Sequence, residues 1–269
     1  MLRLIVLGIV QGVTEFLPVS SSGHLTVVPF LLGWALPSVA FDVAVHLGTT
    51  LAVILYFRRD LGEMLSGIFR VARGSRAPED VRHARLALLL GMGSIPAGIA
   101  GIAFGGFFEG LFDEPALIGV FLAVTGLVLL AAERLAARRR EQRPVEGVTV
   151  RDALVIGLSQ AVAITPGISR SGATIAAGLG RGLSREAATR FSFLLALPAF
   201  LGAALVELPN LGSGGNLGGV VAAAVVSAVV GFASIAFLLK FVRERSLRPF
   251  AAYLFVAAAV VVGYWFQIR

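Results

Sequence analysis

The sequence predicts an all-α polytopic membrane protein, with six transmembrane helices plus two re-entrant helix hairpins in an inverted-topology repeat. Three observations predict it. First, 57% of the residues are hydrophobic and only 14% charged, with mean hydropathy +0.88. A soluble domain carries about 25% charge, so lipid rather than water suits this surface. Second, six apolar stretches reach bilayer length, and two further apolar regions are broken by polar loops. Third, the basic residues cluster in four segments whose spacing fits one side of a membrane.

The first broken region covers 2–36. It opens with Arg3 and an apolar run from Leu4 to Val10, as a signal peptide does. Gln11 and Glu15 interrupt that run and no convincing cleavage site follows, so a structural segment is expected. Pro18-Val19-Ser20-Ser21-Ser22-Gly23-His24 breaks the region. Proline lacks an N–H and pushes the preceding residue out of helical geometry. Neither flank is long enough to cross alone, so a hairpin entering and leaving on one side is expected. Irregular backbone at membrane depth survives only when buried in protein or lining a wet cavity. Spans follow at 41–57, 86–108 and 115–133. The second broken region, 153–180, is interrupted by Pro166-Gly167-Ile168-Ser169-Arg170-Ser171-Gly172, and spans at 189–207, 218–239 and 250–267 complete the chain. All of 1–269 reads as one membrane domain, the first repeat covering about 1–135 and the second about 150–269.

Charge sets the expected orientation. Seven arginines lie between Arg58 and Arg85, and six between Arg134 and Arg151. Arg181, Arg185 and Arg190 follow the second break, and Lys240, Arg243, Arg245 and Arg248 separate the last two spans. These segments hold 20 of the 23 basic residues, whereas the link after the second span carries Glu109, Asp113 and Glu114. The positive-inside rule places the basic segments in the cytoplasm. The net charge of +7 is thereby explained by topology, and no nucleic-acid partner is implied. Trp34, Tyr264 and Trp265 fall at the opposite interface. With no cysteine, disulfides and thiolate metal sites are excluded.

Each half then holds one hairpin and three crossings, an odd number that turns the halves in opposite directions. Gly8, Gln11, Val13, Ser22 and Gly23 match Gly157, Gln160, Val162, Ser171 and Gly172 at an offset of 149, which slips to 150 for Phe41, Leu47 and Leu55 against Phe191, Leu197 and Leu205. Inverted repeats with broken helices place a site near the midplane, where the loops meet.

The candidate chemistry lies in those loops. Gly23 and Gly172 permit tight turns and close approach to a ligand. A half-helix starting after each loop points free N–H groups and a positive dipole end inward, which suits phosphate. Arg170 is an intramembrane cation costing about 2.5–3.5 kcal/mol to insert, and its planar fork binds phosphate oxygens. Its bland alternative is a structural pair with Glu15. Gln11 and Glu15 share a helix face leading to the loop. Glu15 suits a divalent cation or a general base. Ser20, Ser21 and Ser22 precede His24, a set suited to nucleophilic attack, although serine also caps helices and one of the three is expected to do only that. Ser169, Ser171 and Thr174 offer hydroxyls for phosphate or for capping. Asp42 and His46, four apart on the first full span, could reach the site, but they read first as a buried structural pair.

The stretch from Gly8 to His24 resembles the first signature of bacterial undecaprenyl-pyrophosphate phosphatases of the bacitracin-resistance (BacA) type, and Pro166 to Thr174 resembles the second. Phe41 to Thr49 resembles a third shared stretch. The resemblance covers essentially the whole chain. It implies removal of the terminal phosphate from the C55 polyprenyl diphosphate, giving the monophosphate carrier used in cell-wall synthesis. It also implies a divalent cation, magnesium or calcium, and a multi-pass protein of the bacterial inner membrane with its site open to the outer side. Site residues follow: Ser21 as nucleophile, with Glu15, His24 and Arg170 catalytic beside it. The substrate-binding set is Gln11, Ser20, Ser22, Gly23, Gly167, Ser169, Ser171 and Thr174, with Glu15 on the metal. Gln11 replaces the first acidic residue of many members, leaving Glu15 the only carboxylate of that pair. The expected partners are the polyprenyl diphosphate and membrane lipids, with a homodimer left open. Direct attack by water, a transporter or lipid flippase, or a dual role stay open at this point. A third alternative, a structural subunit, gives Glu15 and Arg170 no reason.

Overall fold

The computed structural model describes residues 1–111, 114–139, 141–207 and 217–268. Among these described residues eleven α-helices run in order: α1 Leu2–Thr14, α2 Ser21–Leu32, α3 Val39–Tyr56, α4 Arg58–Ala72, α5 Pro78–Glu109, α6 Pro115–Ala137, α7 Val150–Val162, α8 Arg170–Gly180, α9 Arg185–Glu207, α10 Leu217–Glu244 and α11 Arg248–Ile268. Among the described residues no β-strand occurs. Six helices, α3, α5, α6, α9, α10 and α11, are long and apolar enough to cross a membrane, and they correspond to the six expected spans. The largest boundary difference is α5, which starts at Pro78 rather than near 86. Proline at the first position, with Glu79 and Asp80 in the first turn, nucleates it ahead of the apolar run.

The two broken regions form α1–α2 and α7–α8. These helices have 13, 12, 13 and 11 residues, or about 17–20 Å each at the helical rise, short of the ~30 Å hydrocarbon core. The breaks lie at 15–20 and 163–169. Ser21 to His24 and Arg170 to Gly172, expected as loop, are instead first helical turns. The reason is capping. Ser20 Oγ accepts the Gly23 amide at 3.3 Å, and Ser169 Oγ accepts the Gly172 amide at 3.0 Å, so each helix restarts one residue after its serine.

The outer ends of each pair lie together. The Arg3 guanidinium sits 5.4 Å over the Trp34 ring, joining the start of α1 to the residues after α2. Arg181, just past α8, donates to Asp152 in the first turn of α7 at 2.7 Å.

The four basic segments meet at one end of the bundle. Arg85 donates to the carbonyls of Glu146 and Val148, Arg143 to the Arg181 carbonyl, and Arg243 to Glu186. Arg190 pairs with Asp60. Asp152, fully buried, accepts from Arg143, Arg181 and Thr149. Glu133, also buried, takes a bidentate contact from Arg185 and the Leu247 amide. At the other end, Phe30 meets Tyr264 edge-to-face at 5.2 Å. Of the expected acidic link, Asp113 and the Glu109 side chain lie outside the described residues.

α4 was not expected. Its Leu61, Met64, Leu65 and Ile68 recur at helical spacing while its charges take the other side, so it is amphipathic but too polar to span. Elsewhere, helices that share lipid as solvent associate through close packing. A Cβ built at Gly8 would lie 2.7 Å from the Ala223 carbonyl oxygen, and one at Gly157 would clash with that of Gly93. These glycines let α1 lie against α10 and α7 against α5, which brings the two loops together.

Candidate active site

The loops touch inside the bundle. Ser171 Oγ donates to the Leu17 carbonyl at 3.1 Å, and a Cβ at Gly23 would come within 3.3 Å of Gly167 Cα. Thr125 of α6 braces the second loop by accepting the Ser169 amide at 3.1 Å and donating to the Gly167 carbonyl at 3.3 Å. Gly167 holds φ +86°, a left-handed conformation that favours glycine.

Glu15 is the centre of the site. It directly follows α1 and is buried. Its Oε2 accepts Ser21 Oγ at 2.6 Å and Gln11 Nε2 at 2.9 Å, while Oε1 accepts Arg170 Nη2 at 2.9 Å. His46 Nε2 lies 3.7 Å from Oε2. A buried carboxylate is costly unless paired and hydrogen-bonded, and this one is both. Arg170 also donates to the Ser192 carbonyl and lies 4.8 Å from the Phe200 ring centre. Its Nε is buried without a hydrogen-bond partner, as are Gln11 Oε1 and Asp42 Oδ1.

The expected residues divide by what their hydroxyls already do. Ser20 and Ser169 are committed to the helix caps and to Ser22 and Ser171. Thr174 donates to the Arg170 carbonyl and shares a 2.6 Å hydrogen bond with Ser192 Oγ, tying α8 to α9. Ser171 closes the gap between the loops. Ser21 and Ser22 are partly exposed, and Ser21 lies on the carboxylate. The first-turn amides not used in capping leave two helix N-termini directed at this place.

The two histidines exchange expected places. His24 makes no hydrogen bond to Ser21. Its Nδ1 meets the Ser20 carbonyl at 2.7 Å and its Nε2 meets Tyr253 Oη of α11 at 2.6 Å. His46 uses the Asp42 backbone carbonyl rather than its carboxylate, which turns Nε2 toward Glu15. The Asp42–His46 side-chain pair read from the spacing is therefore replaced by a histidine at the site's edge. The reason is local: an imidazole four residues on reaches the backbone oxygen one helical turn back. Ser192, Phe200 and Tyr253 were missed, being single polar or aromatic residues inside otherwise apolar spans.

Among the described residues no cluster of three or more histidine or carboxylate groups forms a ready-made metal cage. The donors do fit a hard cation shared with a ligand. Glu15 supplies a carboxylate and Gln11 Oε1 an unpartnered buried oxygen four residues away, leaving the remaining positions to ligand and water oxygens.

Two cavities lie elsewhere. One of about 430 Å³ at the basic end is lined by charges including Asp60, Arg82, Glu186 and Arg190. The other, an apolar cleft of about 400 Å³, lies between α6, α7 and α8.

Comparison with known proteins identifies the family. A family model described as bacitracin resistance protein BacA matches residues 4–260. The chain belongs to the BacA family. An undecaprenyl-diphosphatase from Pelobacter propionicus is 46% identical to it, covering 98% of this chain and 96% of its own length. One from Nocardioides sp. is 43% identical over 94% and 92% of the two chains. One from Moorella thermoacetica is 43% identical over 99% and 98%. The BacA match spans both loops, so Glu15, Ser21 and Arg170 all fall within it.

Proposed function

We propose that this chain is an undecaprenyl-diphosphate phosphatase, which hydrolyses the C55 polyprenyl diphosphate to the monophosphate and inorganic phosphate. The product is the lipid carrier of cell-wall synthesis, and its recycling underlies bacitracin resistance. The observation that carries the reading is the Glu15 carboxylate, which holds a serine hydroxyl on one oxygen and an arginine on the other. A passive carrier needs donors for an anion, but it has no use for a hydroxyl aligned on a buried base.

The chemistry follows from those contacts. Arg170 and the two helix N-termini take the diphosphate oxygens, and charge developing on the transferred group meets fixed donors in a water-poor setting. Ser21 Oγ attacks the terminal phosphorus as its proton passes to Glu15 Oε2. The bond from phosphorus to the bridging oxygen breaks and the lipid monophosphate departs. Water then cleaves the serine phosphate and releases inorganic phosphate. Glu15 and Gln11 would hold a magnesium or calcium ion, which neutralises diphosphate charge when bound. Glu15, Ser21 and Arg170 come from one chain, so the reading does not require a homodimer.

We place the protein in the bacterial inner membrane, with the basic end in the cytoplasm and the site reached from the outer side. The positive-inside rule supports this, as does the grouping of the arginine-rich segments at one end. We read α1–α2 and α7–α8 as re-entrant hairpins of an inverted repeat over about 1–135 and 150–269. Their short lengths, their matched serine caps and the Arg3–Trp34 and Arg181–Asp152 contacts support it.

Phosphate release from a polyprenyl diphosphate by the purified protein in detergent tests the function. Magnesium-dependent release, abolished by chelator and by Arg170→Ala in a folded variant, is the expected result. No release by folded wild type across several chain lengths and cations overturns it in favour of a transporter. Phosphoserine at position 21, trapped on rapid quenching, marks the covalent route; turnover retained by Ser21→Ala assigns the attack to water.

A further inference from the structure

We infer that Tyr253 is a positioning residue for His24, and that this histidine serves the site through the Ser20 turn and the Tyr253 hydroxyl rather than as the base for Ser21. The inference rests on the phosphatase reading and adds to it a residue on α11, far from both loop motifs in sequence.

The hydrogen-bond chemistry leaves little freedom. A backbone carbonyl only accepts, so His24 Nδ1 carries a hydrogen and donates it to the Ser20 oxygen at 2.7 Å. In the neutral ring, Nε2 then carries the lone pair, and at 2.6 Å from Tyr253 Oη it accepts the phenol hydrogen. Both nitrogens are thus occupied. The rings are nearly parallel, with centroids 5.7 Å apart and planes 13° from parallel, so the phenol meets the imidazole edge-on through its hydroxyl. His24 is buried, whereas Tyr253 is 47% exposed, so the phenol is the accessible end of the pair.

What the pair holds is the turn that presents the nucleophile. Ser20 has φ +74°, the one positive φ outside glycine among the described residues. Such a conformation is strained for a residue with a Cβ and persists only where its surroundings enforce it. His24 grips the carbonyl of that residue from one turn along α2, and Ser21, immediately next, points its hydroxyl at Glu15. With Glu15 already accepting the Ser21 hydrogen at 2.6 Å, no second base is required there. Tyr253 holds His24, His24 holds the Ser20 turn, and the turn aims Ser21.

The test compares Tyr253→Phe and Tyr253→Leu with wild type in phosphate release, together with the ¹⁵N signals of selectively labelled histidine rings. The chain has only three histidines, so the signals are assignable by substitution. Tyr253→Phe keeps the aromatic ring and removes the hydroxyl. The expected result is a fall in kcat of about ten-fold or more with KM within about two-fold, an unchanged melting temperature and a displaced His24 Nε2 signal. Normal kcat in Tyr253→Phe, whether or not Tyr253→Leu is impaired, overturns the inference and reduces the residue to packing. An unmoved His24 signal overturns it as well. An inactive wild type would instead count against the phosphatase reading.

Discussion

Ser21 and Arg170 each occupy the first helical position after a capping serine, 149 residues apart, and both bind the same carboxylate, Glu15. Two similar turns therefore supply different chemistry to one point. One turn presents a hydroxyl, the other a cation, and their shared acceptor comes from the first loop alone. On the phosphatase reading proposed above, Glu15 would couple attack to charge stabilisation, and Arg170 would be more than a counter-ion.

Arg170→Lys tests that distinction. Lysine keeps the charge but loses the planar fork, and it cannot hold Glu15 and the Ser192 carbonyl while reaching a phosphate. The expected outcome is a fall in kcat of about 10²–10³-fold in a protein that still elutes and melts like wild type. Activity within a few-fold of wild type would show that charge alone suffices.

Gly167→Ala probes the loop's backbone. The added Cβ would lie 2.7 Å from the Ile118 carbonyl oxygen at a residue whose φ is +86°. Gly33 also has positive φ, +61°, but has nothing within 4 Å of its Cβ position. Both substitutions carry conformational strain of about 1–2 kcal/mol, and only Gly167→Ala adds a clash with backbone. The larger loss of thermal stability in detergent is expected at Gly167, together with loss of activity, while Gly33→Ala stays active. Equal effects at the two positions would mean that the loop yields without cost.

How much of this could be read from the sequence depends on what each feature costs. The six spans were legible because their length and apolarity leave few alternatives, and the breaks because Pro18 and Pro166 come with runs of serine and glycine, whereas Pro29, Pro96 and Pro198 continue their helices. Glu15 and Arg170 stood out because charge inside an apolar chain requires a reason. The partition among Ser20, Ser21 and Ser22 was not legible. All three are the same residue type, and only the register of the helix start decides which one caps and which one meets Glu15. The exchange between His24 and His46 was hidden for a related reason. Each imidazole's direction is set by a backbone carbonyl four residues earlier, and Tyr253 is 229 residues from its partner. α4 escaped because its apolar stripe lies in a segment dominated by arginine.

Stability at the basic end is expected to depend on pH through Asp152. Burial opposes its charge, but hydrogen bonds from Arg143, Arg181 and Thr149 outweigh burial and hold its carboxyl below the ordinary range. The folded chain therefore binds fewer protons there than the unfolded one near the ordinary carboxylate value of about 3.9. This stabilisation is complete above that value and is lost as pH falls below it. Asp152→Ala removes the acceptor that Arg143 and Arg181 share, and because both arginines are partly exposed the loss is smaller than for a fully buried pair. Melting in detergent from about pH 7 to about pH 3 should show wild type declining toward the variant in acid. Parallel curves would place the acid sensitivity elsewhere.

Gln11→Glu addresses the cation directly. In the folded chain Gln11 donates to Glu15 with its nitrogen and leaves Oε1 unpartnered in a buried position. A glutamate there gives up the hydrogen bond and sets a second carboxylate beside the first, a like-charge pair that repels unless a cation lies between. Hard divalent ions bind more tightly as carboxylates are added. The expected result is a magnesium dependence shifted to lower concentration in phosphate release, accompanied by lower thermal stability in chelator that magnesium restores. The stability measurement needs no substrate, so it separates cation binding from catalysis. An unchanged magnesium dependence together with a chelator-insensitive melt would place the cation on the diphosphate alone, with Gln11 serving only to hold Glu15.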